Sequence, residues 1–345
     1  MRAVLCRQFG PIEDIAVAQI DPPSPAADEV LVGVETASVQ FVDIRVIEGK
    51  SLLNTTKLDA HFGRKIKVGL PLVPGTEAAG TVLAVGREVQ GFGAGDRVLG
   101  TCLTGAWAEQ AVFRPAELAR IPDAMSFQDA GAFYVLYFTA AYALQTRAAL
   151  TAADTVLVLG AGSGVGLASI EVAKAVGARV IAAASTEQKL AAAASRGADE
   201  LVNYGAGTLD LGAQKALAAR FKAAAGEAGI SVVADLVGGQ YAEPAMRAIN
   251  FKARYLSIGF SAGIPAIPMH VIFNKNASII GVEPVADKRL PGEIPELMTR
   301  LFGWYLEGRL KPLIGGTYGL NEAVTALRLL QERRAIGRIL LDVRR

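Results

Sequence analysis

Two hydrophobic rhythms divide the chain. Over residues 1–122, short apolar or alternating runs at 30–35, 80–86, 96–100 and 108–113 lie between Pro and Gly breaks and predict strands. Helical spacing is confined there to 42–48. From Ser126 the rhythm changes: apolar runs at 156–160, 179–184, 200–203, 231–236, 254–259 and 278–283 alternate with helical stretches. That alternation predicts an α/β architecture with a doubly wound parallel sheet. A helix over 294–308, an amphipathic helix over 320–330 and a strand over 338–343 follow, and the strand is expected to rejoin the first domain. The domains are drawn at 1–124, 125–285 and 286–345.

The junction at 156–167 is the most informative. The apolar run stops at Gly160-Ala-Gly162-Ser-Gly164-Val-Gly166, and a helix over 168–177 follows. Glycines permit a tight turn and let a phosphate approach bare N–H groups, while the helix points its positive end at the anion. Val165 stands where the usual Gly-x-Gly-x-x-Gly spacing has its third glycine, so the strand–turn–helix–strand setting carries the motif. Gly160, Gly162, Ser163, Gly164 and Val165 are the expected diphosphate contacts.

The second strand ends Ala183-Ala184-Ser185-Thr186, with no carboxylate at its tip. An Asp or Glu there accepts the ribose hydroxyls of NAD and repels the 2′-phosphate of NADP. Lys189, one helical turn past Ser185, offers a compensating charge and Ser185 a hydroxyl, so NADPH is the expected coenzyme. Local readings compete: Ser185 with Gln188 fits a capping box, Lys189 fits a solvated surface lysine, and Glu187 stands near enough to act as a displaced ribose acceptor.

Composition narrows the class. A chain of 345 residues holds two domains, and a net charge of +2 leaves no electrostatic footprint for nucleic acid or an anionic membrane. Cys6 and Cys102 are the two cysteines, too few for a disulfide framework or a Cys-rich zinc site; a reducing, cytoplasmic setting is expected. The N-terminus lacks the apolar core of a signal peptide. The uncharged stretch 130–146 is shorter than the ~20 residues that span a bilayer and reads as a buried helix.

Segments 39–43, 73–80, 95–98, 139–144, 160–166, 197–204, 235–239, 257–261 and 332–339, in that order, resemble the zinc-free quinone oxidoreductase branch of the medium-chain dehydrogenase/reductase superfamily. The resemblance implies a GroES-like, β-rich catalytic domain beside a Rossmann domain, with the active site between them. It also implies a homodimer through 278–283, a segment that on its own reads as an ordinary edge strand needing cover. Where zinc-dependent relatives hold Cys and His, this chain has Gln40 and Thr76, and its histidines are His61 and His270, so no metal is expected. The cysteine-rich lobe that holds a structural zinc in those relatives is missing as well.

Carried over position by position, the resemblance gives Ser185, Lys189 and Tyr204 to the adenosine phosphate, with core packing an open alternative for Tyr204. The nicotinamide is expected near Thr139, Val237, Gly259, Phe260 and Ser261. Gln40 and Thr139 are expected to position coenzyme or substrate oxygen, and Tyr137 to hydrogen-bond a developing oxyanion. Two departures stand out. Residues 50–70, with Lys57, Arg64, Lys65 and Lys67, are longer than usual and read equally as a lid or a surface insertion. The pocket tyrosine that relatives often carry in this loop is absent; Tyr134 and Tyr137 are candidates to replace it or are buried aromatics. The function so implied is NADPH-dependent reduction of quinones or conjugated enones. An enoyl-thioester reductase and a coenzyme-binding protein with little turnover are the alternatives.

Overall fold

A computed structural model of the chain describes residues 1–50, 69–284 and 290–345. Most of the 50–70 loop, with His61 and four of its five basic residues, lies outside the described residues. The described residues form two units, one within 1–135, 288–302 and 311–345, the other within 136–287 and 303–310.

The first unit is β-rich. Strands β1 (Arg2–Leu5) and β2 (Ala16–Gln19) pair antiparallel. Strands β3 (Val30–Val39), β4 (Glu77–Val85), β5 (Arg97–Thr101), β6 (Gln110–Phe113) and β7 (Leu118–Arg120) form an antiparallel sheet in which β3 meets both β4 and β6. Period two explains β3: Val30, Val32 and Val34 are buried while Leu31, Gly33 and Glu35 between them are half-exposed. Trp107, Phe113, Val98 and Ile44 fill the core under it, each such buried apolar side chain contributing about 1.5–3 kcal/mol. The expected helix at 42–48 is Phe41–Ile47, capped by Gln40.

The second unit holds β8 (Thr155–Leu159), β9 (Arg179–Ala184), β10 (Glu200–Asn203), β11 (Ile230–Asp235), β12 (Ile249–Ser257) and β13 (Ser278–Gly281), all parallel, in the order β10-β9-β8-β11-β12-β13. This is the doubly wound sheet that the alternating pattern predicts. β8 is buried along its whole length because both faces of such a sheet are covered. Strand order reverses between β8 and β11, and the crevice beyond their carboxyl ends is where open α/β sheets take ligands. β12 starts five residues before the apolar run, since polar Asn250 and Lys252 hide its first turn of pairing, Ile230 to Ile249.

The chain then returns to the first unit. Strands β14 (Ile314–Gly319) and β15 (Arg338–Asp342) pair parallel, and β15 lies antiparallel to β3, setting Ile339 opposite Val39. The apolar stretch 130–146 contains a helix, Tyr134–Ala141, that continues as a π-helical turn, Tyr142–Arg147. Among the described residues no helix is long and apolar enough to cross a membrane.

Candidate active site

In the parallel-sheet unit the glycine turn follows β8 at once. Gly160 has a φ of +79°, and the N–H groups of Gly160 and Ala161 both donate to the Ala183 carbonyl at 3.0 Å. Ser163 caps the next helix: its hydroxyl donates to Gly160 O at 2.8 Å and accepts from the Gly166 N–H at 3.1 Å. That helix is Gly164–Val176, four residues longer at its start than predicted, because Ser163 closes the turn that the glycines seemed only to break. A Cβ on Gly166 would fall 2.3 Å from Gly160 O, so helix and turn touch through bare backbone.

A Cβ on Gly162 would meet Lys189 Cβ at 2.5 Å. The lysine stem therefore lies over the turn, and Lys189 Nζ stands 3.5 Å from Ser185 Oγ at the end of β9. The cap of the Glu187–Ala194 helix is Thr186, whose hydroxyl accepts from the Lys189 N–H at 3.3 Å; Ser185 is not the cap, which corrects the capping-box reading. Glu187 accepts from Asn203 Nδ2 at 2.6 Å. Tyr204 is buried, its N–H donating to Ala184 O at 2.9 Å and its ring centroid 4.5 Å from that of Tyr241. These groups fit a ligand with a diphosphate over the turn and a further phosphate at the strand tip.

Two loops at the carboxyl ends of β11 and β12 are joined by Asp235, a residue the sequence reading assigned no role. Its Oδ1 accepts from the N–H groups of Val237 and Gly238, both at 2.8 Å, and its backbone carbonyl accepts from those of Ile258 and Gly259 at 2.9 and 3.1 Å. Tyr255 donates its hydroxyl to Oδ2. Burial raises the Asp235 carboxyl and the Tyr255 phenol. The signal was present as an Asp ending an apolar strand just before Val237-Gly238-Gly239. Val237 thereby packs beside Gly160, Ser261 Oγ reaches Leu236 O at 3.4 Å, and Thr139 is half-buried. Phe260 is exposed and lines a cavity of about 510 Å³ with Ile258, Val282, Tyr142 and Arg147.

Tyr137 must be reassigned. Its ring is buried and its hydroxyl donates to Glu171 Oε2 at 2.5 Å, on the coenzyme-domain helix, so it is a structural pair rather than an oxyanion donor. Tyr134 is buried too, its phenol pushed up to about 12 first by burial and then by Glu77.

The β-rich unit contributes a buried polar cluster. Gln40 Nε2 donates to Ser38 Oγ at 2.8 Å, Thr76 Oγ1 at 3.1 Å and Glu77 Oε2 at 3.2 Å. Ser38 donates to Glu77 Oε2 at 2.9 Å, the Val135 N–H donates to Glu77 Oε1 at 3.0 Å, and Arg338 Nη2 lies 3.6 Å from Glu77 Oε2. The Gln40 N–H donates to Asp43 Oδ2 at 2.7 Å, while Asp43 Oδ1 has no hydrogen-bond partner. Burial pushes Asp43 up to about 7 against the pull of the Gln40 N–H and Arg338; it raises Glu77 and lowers Arg338. Gln40 and Thr76, far apart in sequence, are thus in contact. Glu77 and Arg338 were not singled out from sequence; a carboxylate inside the apolar stretch 73–80 was the visible clue.

A family model described as zinc-binding dehydrogenase matches residues 164–302, and one described as alcohol dehydrogenase GroES-like domain matches residues 26–123. The Mus musculus quinone oxidoreductase-like protein 2 is 31% identical over 346 residues, spanning 99% of this chain and 92% of its own. Escherichia coli quinone oxidoreductase, solved with NADPH, matches at a TM-score of 0.85 and 26% identity over 99% of this chain and 100% of that one. A solved NAD-dependent alcohol dehydrogenase matches at 0.80 and 31% identity, over 99% and 100%. Zinc is held by thiolate, imidazole or carboxylate. Gln40 and Thr76 offer a neutral amide and a hydroxyl, and among the described residues no three His, Cys, Asp or Glu are grouped to hold an ion.

Proposed function

Because the chain belongs to the quinone oxidoreductase branch of the medium-chain dehydrogenase/reductase superfamily, we propose that it is an NADPH-dependent oxidoreductase that reduces quinones or conjugated enones without zinc. The observation that carries this reading is the Lys189 stem lying over Gly162, with its ammonium beside Ser185 at a strand tip free of acid. The N–H groups of Gly162, Gly164 and Val165, at the positive end of the Gly164–Val176 helix, hold the diphosphate, those of Gly160 and Ala161 being engaged by Ala183. Ser185 and Lys189 hold the adenosine phosphate by a charge-assisted contact, with Tyr204 beside them. Val237, Gly259, Phe260, Ser261 and Thr139 flank the nicotinamide. When bound, NADPH supplies the hydride. A conjugated acceptor needs less polarisation than a simple ketone, which suits a chain with Gln40 and Thr76 where zinc-dependent relatives hold metal ligands. The same reading pairs two copies along the open edge of β13, where Ile279 is exposed. It also keeps the chain in a reducing cytoplasm, with Cys6 and Cys102 as free thiols.

The test is coenzyme oxidation with NADPH and NADH in parallel, against a benzoquinone, an enone and crotonyl-CoA. Lys189→Ala should raise the KM for NADPH about tenfold and leave that for NADH nearly unchanged. Equal losses with both coenzymes, or one zinc per chain in the purified protein, would overturn the reading.

A further inference from the structure

We infer that the parallel-sheet unit carries a second anion site, a basic trough on its helices that takes a small organic molecule bearing two or more phosphoryl groups. It is built from residues that neither the glycine turn nor the β9 strand tip uses.

Three helices supply it: Leu211–Ala225, Ala242–Ala248 and Met269–Lys275. All three line one cavity of about 520 Å³, within the roughly 300–1,000 Å³ typical of small-molecule sites. On the first helix Lys215, Ala218, Ala219 and Lys222 follow the i, i+3, i+4, i+7 spacing and share one stripe. The two lysines are about 10 Å apart along the axis at ~1.5 Å per residue. Between them lie only methyl groups, and Val271 of the third helix adds two more. Larger side chains on that stripe would fill the trough.

The charge around it is of one sign. Arg247, His270 and Lys275 line the same cavity, and no Asp or Glu does. Arg247 is paired with Glu243 at 2.5 Å, but among the described residues no carboxylate neutralises Lys215, Lys222 or Lys275. In a chain with 35 basic and 33 acidic residues this is a concentrated excess. Part of it has a local reason. Lys222, Arg247 and Lys275 stand in the last turns of their helices, where a cation complements the macrodipole. That reason does not extend to Lys215, in the second turn of its helix, or to His270, the second residue of its own.

The lining selects the ligand. Several cations round one cavity call for more than one negative charge, and phosphoryl groups concentrate charge and acceptor oxygens together. The methyl floor calls for an organic body that gains by being buried. An inorganic anion meets the rim and leaves the floor wet; an organic polyphosphate uses both. The coenzyme turn is a different place. It follows the carboxyl end of β8, whereas Lys222, Arg247 and Lys275 come just before the amino ends of β11, β12 and β13 in the same parallel sheet.

The test is calorimetric titration of Mg²⁺-free ATP into the full chain with NADPH at saturation. ATP should bind once per chain in the micromolar range and about tenfold more tightly than inorganic triphosphate. The double variant Lys215→Ala/Lys222→Ala should bind ATP about tenfold more weakly and keep its KM for NADPH. Ala219→Leu, which keeps every charge but fills the floor, should weaken ATP and spare triphosphate. Absence of ATP binding at about 1 mM, equal affinity for ATP and triphosphate, or an unchanged affinity in the double variant would overturn the site. So would displacement of NADPH by ATP, which would put ATP at the coenzyme turn, or tighter binding of a single-stranded oligonucleotide, which would make the trough part of a nucleic-acid surface.

Discussion

At the residue scale, position in the fold assigns polar side chains to work or to support. Tyr137 has the chemistry of an oxyanion donor, yet its hydroxyl serves Glu171, which also faces Arg196 Nη1 at 3.4 Å. Its helix, Tyr134–Ala141, is apolar on all sides, so no polar stripe in the sequence says which way Tyr137 points. Tyr137→Phe should cost about 1–2 kcal/mol in urea unfolding, since a buried carboxylate oxygen loses its donor. NADPH oxidation should stay within about twofold of the unaltered protein; a large fall in kcat at unchanged stability would return Tyr137 to the chemistry. Ser185 shows the reverse case. Two neighbouring hydroxyls both suit a cap, and only the backbone geometry gives the cap to Thr186 and leaves Ser185 to Lys189.

At the element scale, the turn between β8 and the Gly164–Val176 helix was legible because its logic is local. An apolar strand, a glycine cluster and a helix occur within a dozen residues, and each constrains the next. What the pattern understated is that Gly164 and Gly166 belong to the helix. They count as breakers by propensity, but here close approach outweighs propensity. Gly166→Ala forces a methyl against the Gly160 carbonyl, so it should lower the melting temperature of the protein and weaken NADPH binding at least tenfold in a fluorescence titration. An unchanged affinity would mean that the turn does not shape the coenzyme site.

At the scale of the whole molecule, the cluster of Asp43, Glu77 and Arg338 draws on three distant parts of the chain and ties stability to pH. Asp43 is held near 7 instead of its ordinary 3.8, chiefly by burial, and Glu77 is raised in the same direction. Through that interval the folded protein keeps protons that the unfolded chain releases, so stability should fall as pH rises from acid toward neutral. Urea unfolding at several pH values checks this, and Asp43→Asn should flatten the slope; a slope that survives intact would place its origin elsewhere. The sequence by itself determined the two architectures, the glycine turn and the acid-free strand tip, because periods of two and 3.6 residues and turn chemistry act between near neighbours. Only the tertiary structure decided that Tyr137 is buried, that Asp235 joins two loops, and that Gln40 faces inward with Thr76 beside it. Those outcomes depend on contacts between residues that no local period relates, and on which of several suitable hydrogen-bond partners the packed chain brings within reach.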